Sequence, residues 1–273
     1  MKAIIAAVDF SPVSINAAEY AADLSAAISA ELLLINVVQL PVSVGEVPVT
    51  GYAFEKMVKD AETELGQLKE KLLRRVDKKI RIYAKTEVGS ILETLKHEAR
   101  EAEAFAIVMG TDSTTGIEHL FKDNYAVAAI HGISTPVLII PERASFKGIR
   151  KIVLAADLRA EEELVPLHLL KEWIKIFPSY LDIVCIVKES EPSSADLAGT
   201  IGLQDELGRF KPQFHFIHEN KIRDGVREYI EQNHPDLLVT MPGHYGFVER
   251  LFHRSQSKQL IHDPKIPVLS ILD

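Results

Sequence analysis

Cysteine is nearly absent from this 273-residue chain: Cys185 stands alone, which excludes an intrachain disulfide and any multi-thiolate metal site. Such usage suits a reducing compartment, and the chain is expected in the cytoplasm. Cys185 lies in the apolar run Ile183 to Val187 and reads as a buried core thiol. Long apolar runs are missing too. None exceeds six residues, the length of Ala3 to Val8 and of Tyr125 to Ile130, whereas a membrane-spanning helix needs roughly 20. Asp9 ends the first of these runs before it reaches signal-peptide length. Positive charge is not in excess, since 31 basic against 39 acidic side chains leave a net charge of −8. Neither nucleic acid nor an anionic membrane is therefore an expected partner. The 14 Gly and 13 Pro are too few for collagen-like or Pro-rich architecture. What is present, 47% hydrophobic and 26% charged residues, describes a folded chain of one or two domains.

Apolar patterning supplies the organisation. Ala3 to Val8 reads as a buried strand closed by Asp9-Phe10-Ser11-Pro12. Ser11 is placed to cap the next helix and Pro12 fits its first position, with Ile15, Ala18, Ala22, Leu24 and Ile28 as the apolar stripe. Leu32 to Val38 is a second buried strand, so the opening is a βαβ unit with parallel strands. Phe54, Val58, Ala61, Leu65, Leu68, Leu72 and Val76 predict a long helix, Ile80, Ile82 and Ala84 a strand, and Ile91, Leu95, Ala99 and Ala102 another helix. Ala104 to Met109 is a fourth strand, followed by a loop from Gly110, a helix over Tyr125 to His131 and a strand over Pro136 to Ile140. After a polar connector from Pro141 to Gly148 the pattern starts again. Lys151 to Ala156 ends at Asp157, Leu164 to Phe177 stripes a helix, and Ile183 to Val187 is a strand. Leu197, Ile201 and Leu207 belong to a helix, Phe214 to His218 to a strand, Val226 to Ile230 to a helix, and Leu237 to Met241 and Pro267 to Leu272 to strands.

In a doubly wound sheet the ligand crevice lies beyond the carboxyl ends of the strands. That singles out Asp9, Val37 and Val38, Thr86 to Gly89 and Gly110 to Gly116 in the first half, and Asp157, Val187, His218 and Met241 to Gly246 in the second. An aspartate just past a first strand can accept a ribose hydroxyl, hold a metal or shape the turn into the next helix. Gly110-Thr111-Asp112-Ser113-Thr114-Thr115-Gly116 is either a phosphate-binding loop or a plain polar turn. It lacks the Gly-Lys-Ser/Thr ending of a P-loop, and no Gly-x-Gly-x-x-Gly or Gly-x-Ser-x-Gly occurs. His215 and His218 fall on opposite faces of one strand, and His244, His253 and His262 have no acidic partner in a ligand spacing, so no metal is expected.

Val8 to Ser14, Leu34 to Val37, Val108 to Thr111 and Thr135 to Pro141 together resemble the universal stress protein family across the whole first half. Ala156-Asp157, Leu237 to Met241, Glu249 to Ser255 and Ile266 to Leu269 look like a more divergent second copy. The resemblance implies two tandem, doubly wound, five-stranded and mostly parallel α/β domains, Rossmann-like and akin to adenine nucleotide alpha hydrolases. They would span 1–142 and 148–273 and pack as an internal pseudo-dimer through their last strands, with a further homodimer open. Nucleotide-binding members carry a glycine, two residues, a second glycine, nine residues, then glycine followed by Ser or Thr. Here Gly110, preceded by Met109, matches the first position, Ser113 stands at the second, and Asp123-Asn124 at the closing pair. In the second half Met241-Pro242-Gly243 stands at the entry and Arg254-Ser255 at the closing pair. Asp9 and Val37 match positions that contact adenosine, with Asp157 and Val187 as their counterparts. A carboxylate at 123 would repel a triphosphate, and Arg254 brings a side chain where close backbone approach is needed. Both phosphate loops thus read as degenerate. The resemblance implies a non-enzymatic stress-response protein acting through a protein partner or small ligand, the alternative being a switch that binds ATP or AMP. Adenylate chemistry would need a Ser-Gly-Gly loop after the first strand, and Phe10-Ser11-Pro12 is not one.

Overall fold

Strand β1 (Ala3–Ala7) is buried along its whole length, as a strand covered by helices on both faces must be. A computed structural model of the chain describes residues 2–39, 51–111, 125–156, 167–187, 193–218, 222–241 and 266–272. Ser11 caps helix α1 (Pro12–Ile28), its hydroxyl accepting the Ser14 amide, and Pro12 occupies the first turn as its missing N–H allows. Strand β2 (Glu31–Val38), helix α2 (Gly51–Arg75), strand β3 (Ile82–Val88), helix α3 (Ile91–Glu101), strand β4 (Ala104–Thr111), helix α4 (Tyr125–Gly132) and strand β5 (Val137–Pro141) complete the first half. Two elements differ from the sequence expectation. β3 begins at Ile82 and runs on through Thr86, because seven of its residues pair with Leu32 to Val38. β4 continues through Gly110 and Thr111, which pair with Ile140 and Pro141, where a loop was expected.

The second half repeats the order: β6 (Lys151–Ala156), α5 (Leu167–Ile176), β7 (Tyr180–Val187), α6 (Ser194–Leu207), β8 (Gln213–His218), α7 (Ile222–Asn233), β9 (Leu237–Thr240) and β10 (Val268–Ser270). The expected helix α6 is present, and of its three marker residues Leu207 is buried. Leu197 and Ile201 are 52% and 62% exposed, while Leu203 and Leu207 enter the core.

Among the described residues ten strands form one sheet in the order β3-β2-β1-β4-β5-β10-β9-β6-β7-β8. Each half therefore reads 3-2-1-4-5 from its outer edge, the doubly wound order in which winding reverses between the first and fourth strands. Among the described residues every pair within a half is parallel, and only β5 and β10 run antiparallel, Leu138 lying opposite Leu269. Because of that inversion the carboxyl ends of the two halves lie at opposite edges of the sheet. One face of the sheet packs under α1, α2, α5 and α6 through Ile4, Leu34, Leu154 and Ile183. The other packs under α3, α4 and α7 through Ile5, Ile107, Val153 and Leu238. The halves are joined by more than strand pairing: Phe105 stacks on Trp173 with ring centroids 4.8 Å apart, and the Lys2 ammonium sits 4.1 Å above the Phe105 ring. Asn16 ties the connector down by donating to the Pro141 and Ala144 carbonyls, both at 3.1 Å.

Candidate functional site

The first half's crevice opens beyond β1 and β4, where the chain first winds outward to β2 and β3 and then crosses back. Its floor is the turn Asp9 to Ser14. Phe10 sits at φ 64°, a left-handed conformation that a bulky side chain adopts only when its surroundings impose it. What imposes it is a set of local hydrogen bonds. Asp9 Oδ1 accepts the Ser11 amide at 3.0 Å and the Ser11 hydroxyl at 2.5 Å. Ser14 Oγ accepts the Asp9 amide at 3.2 Å and donates to the Ser11 carbonyl at 3.1 Å. Desolvation at the strand end pushes the Asp9 carboxyl upward, but the bonds from Ser11 and Ser14 and from the neighbouring amides outweigh it and hold the group below the ordinary aspartate value. Asp9 is therefore a fixed anionic acceptor at the crevice, exposed on one side. Of the readings of this residue, these bonds realise the turn former.

Gly110 is required by packing. A Cβ there would lie 2.4 Å from the Val13 carbonyl oxygen and 3.1 Å from the Ser14 amide nitrogen, so the first turn of α1 rests directly on β4. Met109 beside it is buried on the opposite face. Val37, next to last in β2, packs on that same opposite face. Asn36, which the apolar reading of β2 passed over, is 93% buried, and its amide donates to the Val8 carbonyl at 2.8 Å, fixing the backbone immediately before Asp9. Its register partner Thr86 shares that face, and both Asn36 Oδ1 and the Thr86 hydroxyl are buried without a hydrogen-bond partner among the described residues. The signal was legible as one amide inside Leu32 to Val38.

In the second half Val187 closes β7 and is buried. The ladders revise its expected role as the counterpart of Val37. Ile107 and Leu238 correspond, each pairing with the first valine of the last strand, and through them Ile5 corresponds to Val153 and Ile35 to Val184. Two residues on, Val37 corresponds to Ile186, and Val187 continues the face of Ile183 and Cys185 instead. Ser113, Asp123, Asn124, Asp157, Gly243, Arg254 and Ser255 lie outside the described residues. Among the described residues no group of three His, Cys, Asp or Glu side chains could hold a metal, and no helix is long and apolar enough to cross a membrane. Burial pushes the Cys185 thiol up to about 12, with the charge of Asp196 adding to it, so it stays protonated and inert.

Two doubly wound halves joined edge to edge, the first with Asp9 at its switch point, define a tandem α/β protein of Rossmann-like architecture. The model of the universal stress protein family matches residues 1–141, and the chain belongs to that family. No curated protein matches the chain by sequence. Among solved structures, a universal stress protein from Archaeoglobus fulgidus DSM 4304 shares the fold at a TM-score of 0.71 and 15% identity, covering 99% of this chain and 98% of its own. A functionally unknown protein from Pseudomonas aeruginosa PAO1 aligns at a TM-score of 0.55 and 11% identity over 100% of this chain and 92% of its own. A universal stress protein in complex with cAMP covers 51% of this chain and 96% of its own at 16% identity and a TM-score of 0.37, and the cAMP is a property of that protein.

Proposed function

We propose that this universal stress protein is a non-catalytic, cytoplasmic binding protein whose first-half crevice takes adenosine or AMP and reports its occupancy to a protein partner. The supporting observation is Asp9, kept ionised by its own turn and presented where the winding of the sheet reverses. A fixed carboxylate at that point suits the two adjacent hydroxyls of a ribose, which donate to it as paired hydrogen bonds. The sequence at the closing pair, Asp123-Asn124, disfavours a third phosphate by like-charge repulsion. ATP-dependent switching is the alternative, and the ligand itself separates the two. Freshly purified protein is denatured and the released small molecules are separated by chromatography, alongside calorimetric titration with adenosine, AMP and ATP. Adenosine or AMP is expected to bind, and Asp9→Ala to weaken it by about tenfold or more, the worth of a hydrogen bond to a charged group. Stoichiometric ATP in the released fraction establishes the switch instead.

A further inference from the structure

We infer that the two crevices are not equivalent, and that the chain has a single nucleoside-binding crevice, in its first half, with the second half serving as its packing partner. The inference rests on the adenosine or AMP reading above and names which of the two crevices carries it. The same ladders that align Ile107 with Leu238 put Met241 in the place of Gly110 and Cys185 in the place of Asn36. Each replacement removes a device that shapes the first crevice.

At Gly110 the absent Cβ is the space into which the Val13 carbonyl and the Ser14 amide fit. That contact seats the start of α1 on β4 and so holds the hydrogen-bonded set Asp9, Ser11 and Ser14 at the end of β1. Met241 is 96% buried in the core on the same face of the sheet as α1, and it carries the Cβ that Gly110 lacks. A helix start seated as Val13 and Ser14 are would collide with that Cβ, because protein interiors are close-packed. At Asn36 the amide clamps the carbonyl of Val8, one residue before the acceptor aspartate. Cys185 is fully buried, and its thiol is at most a weak donor, so the carbonyl preceding Asp157 has no comparable clamp from β7. Steric exclusion at one strand end and a lost clamp at the next act independently on the same crevice.

Titration calorimetry of the intact chain with AMP, and separately with adenosine, counts the sites. One ligand per chain is expected. Asn36→Cys, which copies the second half into the first, should weaken binding about tenfold while unfolding stays cooperative. Gly110→Val should abolish binding. Should Gly110→Val fail to fold, Asn36→Cys alone decides the matter. Two ligands per chain, or one ligand whose affinity is untouched by Asn36→Cys, overturns the inference while leaving the ligand reading intact. No uptake by the folded wild-type chain overturns that reading and the inference together.

Discussion

Asp182 is the most consequential charged residue away from the crevice. Buried in β7, it accepts the Tyr229 hydroxyl at 2.7 Å and the Lys151 ammonium at 2.9 Å. Burial pushes its carboxyl up, but the bonds from Tyr229 and Lys151 and the lysine's charge win and hold it below the ordinary aspartate value. A carboxyl lowered by folding contributes stability that is fully present above its unfolded value of about 3.9 and is lost as pH falls through the lower folded value. Asp182→Asn is therefore expected to cost about 3 kcal/mol at pH 7, since it strands the buried end of a lysine pair. The deficit should shrink in urea titrations as pH is taken below about 3.9, where the unfolded chain takes up the proton before folded Asp182 does; a deficit independent of pH would contradict the account. At this scale the sequence told part of the story. Asp9 was legible because a polar residue ends an apolar run, whereas the reason for Gly110 was not, since Val13 meets it only through the tertiary approach of α1 to β4.

Among the elements, periodicity found nearly every helix and strand and misplaced those whose burial is uneven. β7 starts at Tyr180, three residues before its expected beginning, because Asp182 reads as a strand breaker until Lys151 and Tyr229 are seen to satisfy it. β3 was set too early because Ile80 and Ile82 carried the apolar signal, while Tyr83, Lys85 and Val88 on this sheet-edge strand are exposed. In α6 the sequence marks the helix by Leu197, Ile201 and Leu207, and of these only Leu207 turns inward, beside Leu203. Leu203→Ala is accordingly expected to cost about 2–5 kcal/mol, and Ile201→Ala to stay within about 0.5 kcal/mol, as surface substitutions do. Chemical denaturation of the two variants separates them; equal losses would mean that α6 packs the other way round.

For the molecule as a whole, the antiparallel β5–β10 pair, the Phe105–Trp173 stack and a core running under α1, α2, α5 and α6 make one body of two repeats. The repeat itself was legible in the sequence, since Asp9 and Asp157 each end a first strand. Its inversion was not, because pairing between last strands leaves no local pattern. Trp173, fully buried against the first half, should cost about 3–5 kcal/mol as Trp173→Ala. That loss should appear as one cooperative transition shifted for the whole chain; a split into two transitions would show the halves to be uncoupled. The same inversion sends the two crevices to opposite edges of the sheet, so a ligand's address can be read directly. Photo-crosslinking with 8-azido-AMP, followed by digestion and mass spectrometry, is the most direct measurement of the central claim. The account predicts label confined to peptides from the carboxyl ends of β1, β2 and β4, displaced by excess AMP. Displaceable label on the ends of β6, β7 or β9, or none on the first half, would contradict it.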